Sequence, residues 1–171
     1  MSLFKFHDSN FINGYNKPNV IATEVTQNGN QFKLVGDSAT VHATVSEAQA
    51  GDIYVMYNII DKPEILNTED YNVKVGQYIR AFRLKDFVGQ EVDLSADLVT
   101  DAFGTVTEGK FLVPRTTIDT TDTMLWKAVT DVTGYEVYLV VTKKTTFGTF
   151  TIDANGGTVL GGYVARIASI N

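Results

Sequence analysis

Apolar and polar residues alternate along this chain in short runs separated by Gly, Pro, Asn, Asp and Ser, the spacing of strands and turns rather than of amphipathic helices. Val20 to Thr26 is rich in β-branched residues. After Asn28-Gly29, Phe32 and Leu34 alternate with Gln31 and Lys33, so one face of that segment is apolar and the other wet. An Asn-Gly pair between such runs predicts a hairpin, and Asn13-Gly14 and Asn155-Gly156 repeat the signal. Gly36-Asp37-Ser38 predicts a turn into a strand around Thr40 to Val45. After a break at Glu47 to Gly51, Ile53 to Ile60 is apolar on both alternating sets, which predicts a central strand or one whose outer face meets another subunit.

The cadence continues beyond that strand. Asp61-Lys62-Pro63-Glu64 is a turn signal and Asn67 to Tyr71 a polar loop, followed by strand character over Val73 to Leu84, with Gly76 as a bulge or close turn. Glu91 to Leu94 is the next strand; Ser95 to Asp101 allows a short helical turn capped by Ser95, the only place where helix competes. Lys110 to Val113 is stopped by Pro114, and the polar segment Arg115 to Thr123 predicts an exposed loop. Met124 to Val129 and Tyr135 to Thr142 flank a turn at Asp131 to Gly134, the second again apolar on both faces, and Trp126 alternates with Met124 and Ala128 so as to point into a core. Thr149 to Asp153, the Asn155-Gly156-Gly157 turn and a strand from Thr158 to Ile170, bent at Gly161-Gly162, follow.

This pattern predicts an all-β single domain, an antiparallel β-sandwich or β-barrel with at most short helical turns. Residues 1–19 stand apart: Phe4, Phe6, Phe11, Ile12 and Tyr15 sit without period among polar residues, and Pro18 closes the segment. They read as an extended aromatic N-terminal arm before a β domain at 20–171, either packed on that domain as its first strand or laid on a partner.

With 171 residues the chain is long enough to bury a core without staples, and the absence of cysteine excludes disulfides, thiolate metal sites and a cysteine nucleophile, making a cytoplasmic origin the simpler reading. The first residues lack the features of a secretory signal, and no apolar run approaches the roughly 20 residues of a membrane-spanning helix, so a soluble protein with no membrane partner is expected. A net charge of −6 argues against nucleic acid as a partner; the best basic cluster, Arg80, Arg83 and Lys85, reads as a solvated strand edge.

Catalytic chemistry finds no foothold. The histidines are His7 and His42, no G-x-S-x-G elbow surrounds Ser46 or any other serine, and His42 reads as a half-exposed strand residue. Glu64, Glu69, Asp70, Asp93, Asp97, Asp101, Asp119 and Asp122 read as solvated acids rather than a glycosidase pair. Asp119-Thr-Thr-Asp122 is a weak substitute for a calcium loop, and the Gly-Gly pairs do not precede a helix as a phosphate cradle would. The expectation is a non-enzyme with no catalytic residues, no metal and no cofactor.

Gly51-Asp52-Ile53-Tyr54-Val55, the Asp61-Lys62-Pro63-Glu64 turn, Val73 to Phe82 (VKVGQYIRAF) and Gly161 to Ile167 (GGYVARI) give residues 40 to 170 a cadence that resembles the capsid decoration (head auxiliary or cement) proteins of tailed bacteriophages. The resemblance implies a viral structural protein made in the bacterial cytoplasm and docked on the outer surface of the capsid in the virion. Its partner would be the major capsid protein of the same phage, often with the decoration protein as a homo-oligomer. The family binds by surface shape, so no functional residue transfers. Contacts are instead inferred from the arm, Phe4, Phe6, Phe11 and Tyr15, and from the threonine-rich loop, Arg115, Asp119 and Asp122. The alternative is a carbohydrate- or receptor-binding β module of a phage fibre or a secreted enzyme, with exposed tyrosines meeting sugar faces.

Overall fold

The computed structural model describes residues 4–8, 16–58, 72–117, 124–151 and 158–170, with side chains placed except at 146–151 and 158–160. The strands are β1 (Phe4–Phe6), β2 (Asn16–Ala22), β3 (Thr26–Gln27), β4 (Gln31–Val35), β5 (Ser38–Thr40), β6 (Tyr54–Met56), β7 (Asn72–Val73), β8 (Tyr78–Arg83), β9 (Glu91–Ser95), β10 (Phe111–Pro114), β11 (Trp126–Val129), β12 (Val137–Thr151) and β13 (Thr158–Ser169). One short helix, α1 (Val45–Gln49), and 3-10 turns at Leu84–Phe87 and Ala96–Leu98 complete the described elements. The chain is all-β. It combines a six-stranded antiparallel sheet, ordered β1-β9-β13-β12-β10-β11, with a closed five-stranded barrel, β2-β5-β4-β6-β8, and a small β3-β7 ribbon. Within the barrel, only β2 and β5 run parallel.

Two apolar cores follow from this arrangement. Val20, Ala22, Phe32, Ala39, Met56, Ile79 and Ala81 fill the barrel. The larger core lies between the sheet and the barrel wall: Val92, Leu94, Leu112, Trp126, Leu139, Tyr163 and Ile167 from the sheet meet Ile53, Val55 and Phe82 from the barrel side. β6 and β8 therefore have two buried faces, since Val55 and Phe82 point to the sheet while Met56 and Ala81 point inward. The doubly apolar pattern at Ile53 to Met56 has this origin; Ile59 and Ile60 lie outside the described residues. In β12, by contrast, Val137, Leu139 and Val141 enter the large core while Tyr138 and Val140 are only half-buried.

Several expectations are corrected by the pairing. Asn28-Gly29 does not join two paired strands, because β2 pairs with β5 and β8 and β4 with β5 and β6. It is a buried turn, closed by the Asn30 N–H to the Gln27 carbonyl at 3.0 Å. Asn28 exchanges hydrogen bonds with the Asn58 backbone, and the Gly29 carbonyl accepts from Trp126 Nε1 at 3.0 Å. The tight hairpin is Gly36-Asp37, which sets Val35 opposite Ser38.

The strand expected around Thr40 to Val45 ends at Thr40, and α1 begins at Val45 and runs into the break at Glu47 to Gly51; it is capped at Thr44, whose hydroxyl accepts from the Glu47 N–H while the Glu47 carboxylate accepts from the Ala43 N–H. Ser95 does precede a helical turn, but its hydroxyl bonds Asp97 instead of capping the backbone. Thr149 to Thr151 continue β12, and the irregularities in the β12-β13 ladder fall between Val141 and Lys143 and between Phe147 and Thr151; Gly161 and Gly162 pair in register with Thr146 and Thr145. The Asn13-Gly14, Asp61 to Glu64 and Asn155-Gly156 turns lie outside the described residues.

Gly29 is packed against the large core. Its φ is +91°, and a Cβ there would stand 2.5 Å from Leu98 Cδ1 and 2.8 Å from Phe4 Cβ. Gly29→Ala is expected to cost about 1–2 kcal/mol for the left-handed backbone and a further ~1–3 kcal/mol for overpacking. Gly36→Ala, with φ +61° but nothing within 4 Å of the added Cβ, should show only the backbone part. Urea midpoints of the two variants read the difference directly.

Candidate functional site

The arm residues of β1 are not surface. Phe4 and Phe6 are 3% and 1% exposed and belong to the large core, where Phe6 meets Phe4, Tyr57, Phe82 and Phe87 at ring-centroid separations of 5.1 to 5.8 Å. Their register opposite Leu94 and Val92 makes β1 the edge strand of the sheet. Both are therefore corrected from partner contacts to core residues. The 1–19 boundary moves as well, because Asn16 to Asn19 already form the barrel wall. Phe11, Tyr15, Asp119 and Asp122 lie outside the described residues. Arg115 is half-buried at the base of the threonine-rich loop, its N–H donating to Leu125 and its carbonyl accepting from the Gln31 side chain.

Several titratable groups are engaged in ion pairs and hydrogen bonds within the fold. His7 sits between Asp93, at 2.7 Å, and Glu91, at 3.4 Å, next to the end of β1. Asp101 accepts from the Ala128 N–H, Arg83 pairs with Asp52 at 2.9 Å, and Lys85 pairs with Glu136 at 3.0 Å. Of the basic cluster, two members are thus in ion pairs, and β8 is no sheet edge but part of a closed barrel.

His42 is corrected from half-exposed to fully buried: it forms an isolated bridge with Thr116, and neither ring nitrogen has a hydrogen-bond partner among the described residues. Burial lowers its pKa to about 4. The Tyr163 hydroxyl, also buried without a partner among the described residues, is pushed up to about 12 by desolvation and then by the nearby Asp101 charge. Among the described residues no three His, Asp or Glu side chains converge as a metal site, and no helix is long and apolar enough to cross a membrane.

What the barrel does present to solvent is an apolar row. Pairing sets Tyr78 of β8 beside Ile21 of β2, Ile21 beside Ser38 of β5, and Ser38 beside Val35 of β4. The alternate positions Ile79, Val20, Ala22 and Ala39 point into the barrel, so this row points out. Tyr78 and Val35 are 65% and 58% exposed. The turn before β8 extends the row: the Gly76 N–H donates to the Ala22 carbonyl, which brings the exposed Val75 to its end, and Val25 precedes the residue paired with Val73. The ion pair Lys17–Asp37 and exposed Glu24, Lys74 and Arg80 belong to the same strands and turns. An apolar centre with charged residues around it has the anatomy of a protein contact.

The row was absent from the sequence expectations, since it is assembled from four segments whose pairing no local signal reveals. Comparison of the chain with protein-family models, with curated proteins and with solved structures finds no match.

Proposed function

We propose that this protein is a structural, non-enzymatic component of a virion, docking as a homo-oligomer on the outer surface of a tailed-phage capsid and holding it through protein–protein contacts with the major capsid protein. The observation that carries the reading is the set of exposed apolar side chains Tyr78, Val35 and Val75, set around half-buried Ile21 and Ser38 on a closed barrel. A cement protein needs such apolar surface to bury at its seat and a body that does not deform under load. The cadence by which the sequence resembles decoration proteins suggests the class of partner. With Phe4 and Phe6 in the core, the seat is assigned to the barrel.

The test is co-sedimentation with empty shells assembled from the major capsid protein encoded in the same genome. Tyr78→Asp combined with Val35→Asp should weaken shell binding by at least about tenfold, as loss of a central aromatic anchor does, with an unchanged urea midpoint. Shells that leave the unmodified chain in the supernatant, or a genome without a capsid gene, reject the reading.

A further inference from the structure

The inner face of the barrel opens at one end into a cleft of about 330 Å³ lined by Asn16, Lys17, Pro18, Tyr54, Ala81, Arg83 and Asp86. Its position follows from the ladder. Phe32, Tyr54 and Arg83 are successive cross-strand partners on β4, β6 and β8, so they share the inward face. Phe32 is fully buried and lies nearly parallel to Tyr54, with 11° between the rings. Tyr54, half-buried, is thus the outermost ring of that stack.

Across the mouth, the β2-β8 ladder is interrupted between Lys17 and Val20. There Asn19 takes φ 65° and Pro18 brings a ring and no N–H to the rim. Asp86 closes the mouth from the 3-10 turn after β8. Mouths of β-barrels are common ligand sites, and this volume is at the lower end of the usual range.

We propose that this cleft binds a neutral sugar ring, a hexopyranose at the exposed end of a glycan, as a second binding function separate from the capsid seat. The chemistry of the lining selects that class. Lys17 and Arg83 bring positive charge and Asp86 negative, and the two cations are already paired with Asp37 and Asp52, so neither a strongly anionic nor a cationic ligand is favoured. Sugar hydroxyls donate and accept together, which suits Asp86 as acceptor, Lys17 and Arg83 as donors and the Asn16 amide as both.

One donor there is unused among the described residues: Arg83 Nε is buried with no hydrogen-bond partner, while Nη2 is held by Asp52 at 2.9 Å. The Tyr54 ring and Pro18 provide the apolar wall against which the C–H face of a pyranose packs.

The test is a nuclear magnetic resonance titration of the full chain with glucose, galactose, mannose and N-acetylglucosamine, and with glucuronate as the anionic arm. At least one neutral sugar should give saturable shifts confined to residues 16–18, 54 and 81–86, with millimolar dissociation. Arg83→Met should weaken it by about tenfold or more, the loss of hydrogen bonds from a charged donor. Asp86→Asn, on the turn outside the barrel wall, should weaken it with the fold intact. Saturation by glucuronate alone overturns the assignment, as do shifts that stay linear with every neutral sugar or saturable shifts that both variants leave unchanged. Shell binding is read separately, so failure here and failure of the capsid reading are distinguishable.

Discussion

Phe6→Ala is expected to lower the stability of this protein by about 3–5 kcal/mol, the cost of removing a fully buried aromatic side chain from a packed core. Phe6 is the hub of a ring cluster drawn from distant segments: Phe4 beside it, Tyr57 after β6, Phe82 on β8 and Phe87 in the 3-10 turn. Truncation leaves a void between the sheet and the barrel wall, because the rings around it belong to different elements and cannot all collapse inward. A domain of ordinary stability has about 5–15 kcal/mol in total, so the variant should lose a large part of its margin.

The measurement is a urea or guanidinium unfolding curve, with Lys5→Ala as the neighbouring control, since Lys5 is exposed on the same strand. Were Phe6 a partner contact, the variant would keep its midpoint and lose only binding. For the same reason a deletion through β1 should unfold or loosen the large core rather than leave a competent body.

The fate of β1 shows what kind of information the chain carries locally. Alternation places β8 and β9 and predicts Trp126 in the core, because a strand's two faces are written in its own residues; on β4 it places the strand but not its faces, since Gln31 is buried and Val35 exposed. Phe4-Lys5-Phe6 also alternates, but three residues are too short a signal to separate a strand that docks on its own sheet from one that docks elsewhere. The decision lies in Val92 and Leu94, nearly ninety positions away, which supply the register.

Asn28-Gly29 misleads for a related reason. The dipeptide specifies a turn, and a turn forms; whether the flanking runs pair is settled by β5, β6 and β8, which take both of their edges. The buried Asn28 amide, bonded to the Asn58 backbone, replaces the solvent exposure that such a turn normally has. α1 was legible in principle, since Thr44 and Glu47 have capping-box spacing, but the helix that follows is only five residues long and has a single buried residue, Ala48. The candidate surface was least legible of all: Tyr78, Ile21 and Val35 are unremarkable strand residues until closure of the barrel sets them side by side.

Acid should destabilise this protein through His42, by about 2 kcal/mol between pH 7 and pH 5. Desolvation lowers its pKa from 6.5 to about 4 in the folded chain, so across that interval the unfolded chain binds a proton that the folded one refuses. The contribution is fully present above pH 6.5 and falls away as the pH drops toward 4, below which its loss is complete; at about 1.4 kcal/mol per pH unit that loss is near 3 kcal/mol.

The surroundings explain why the ring stays neutral. Glu47 on α1 favours the proton and Lys33 on β4 opposes it, the two being engaged with each other at 2.7 Å, and desolvation outweighs both. The backbone of Phe32 and of Glu47 also favours the proton, though neither makes a hydrogen bond of good geometry with the ring. From the sheet side comes Thr116, a neutral hydroxyl followed by the Thr117 N–H, which donates to the His42 carbonyl at 3.0 Å.

A charged imidazolium would therefore sit desolvated at the junction of the barrel and the segment after β10. Unfolding free energies of the unmodified chain at pH 7, 6 and 5 should decline, and His42→Gln should remove most of that slope. His7→Gln, whose ring is partly exposed between two carboxylates, provides the comparison that separates the two histidines. An unchanged slope in His42→Gln would place the acid sensitivity elsewhere.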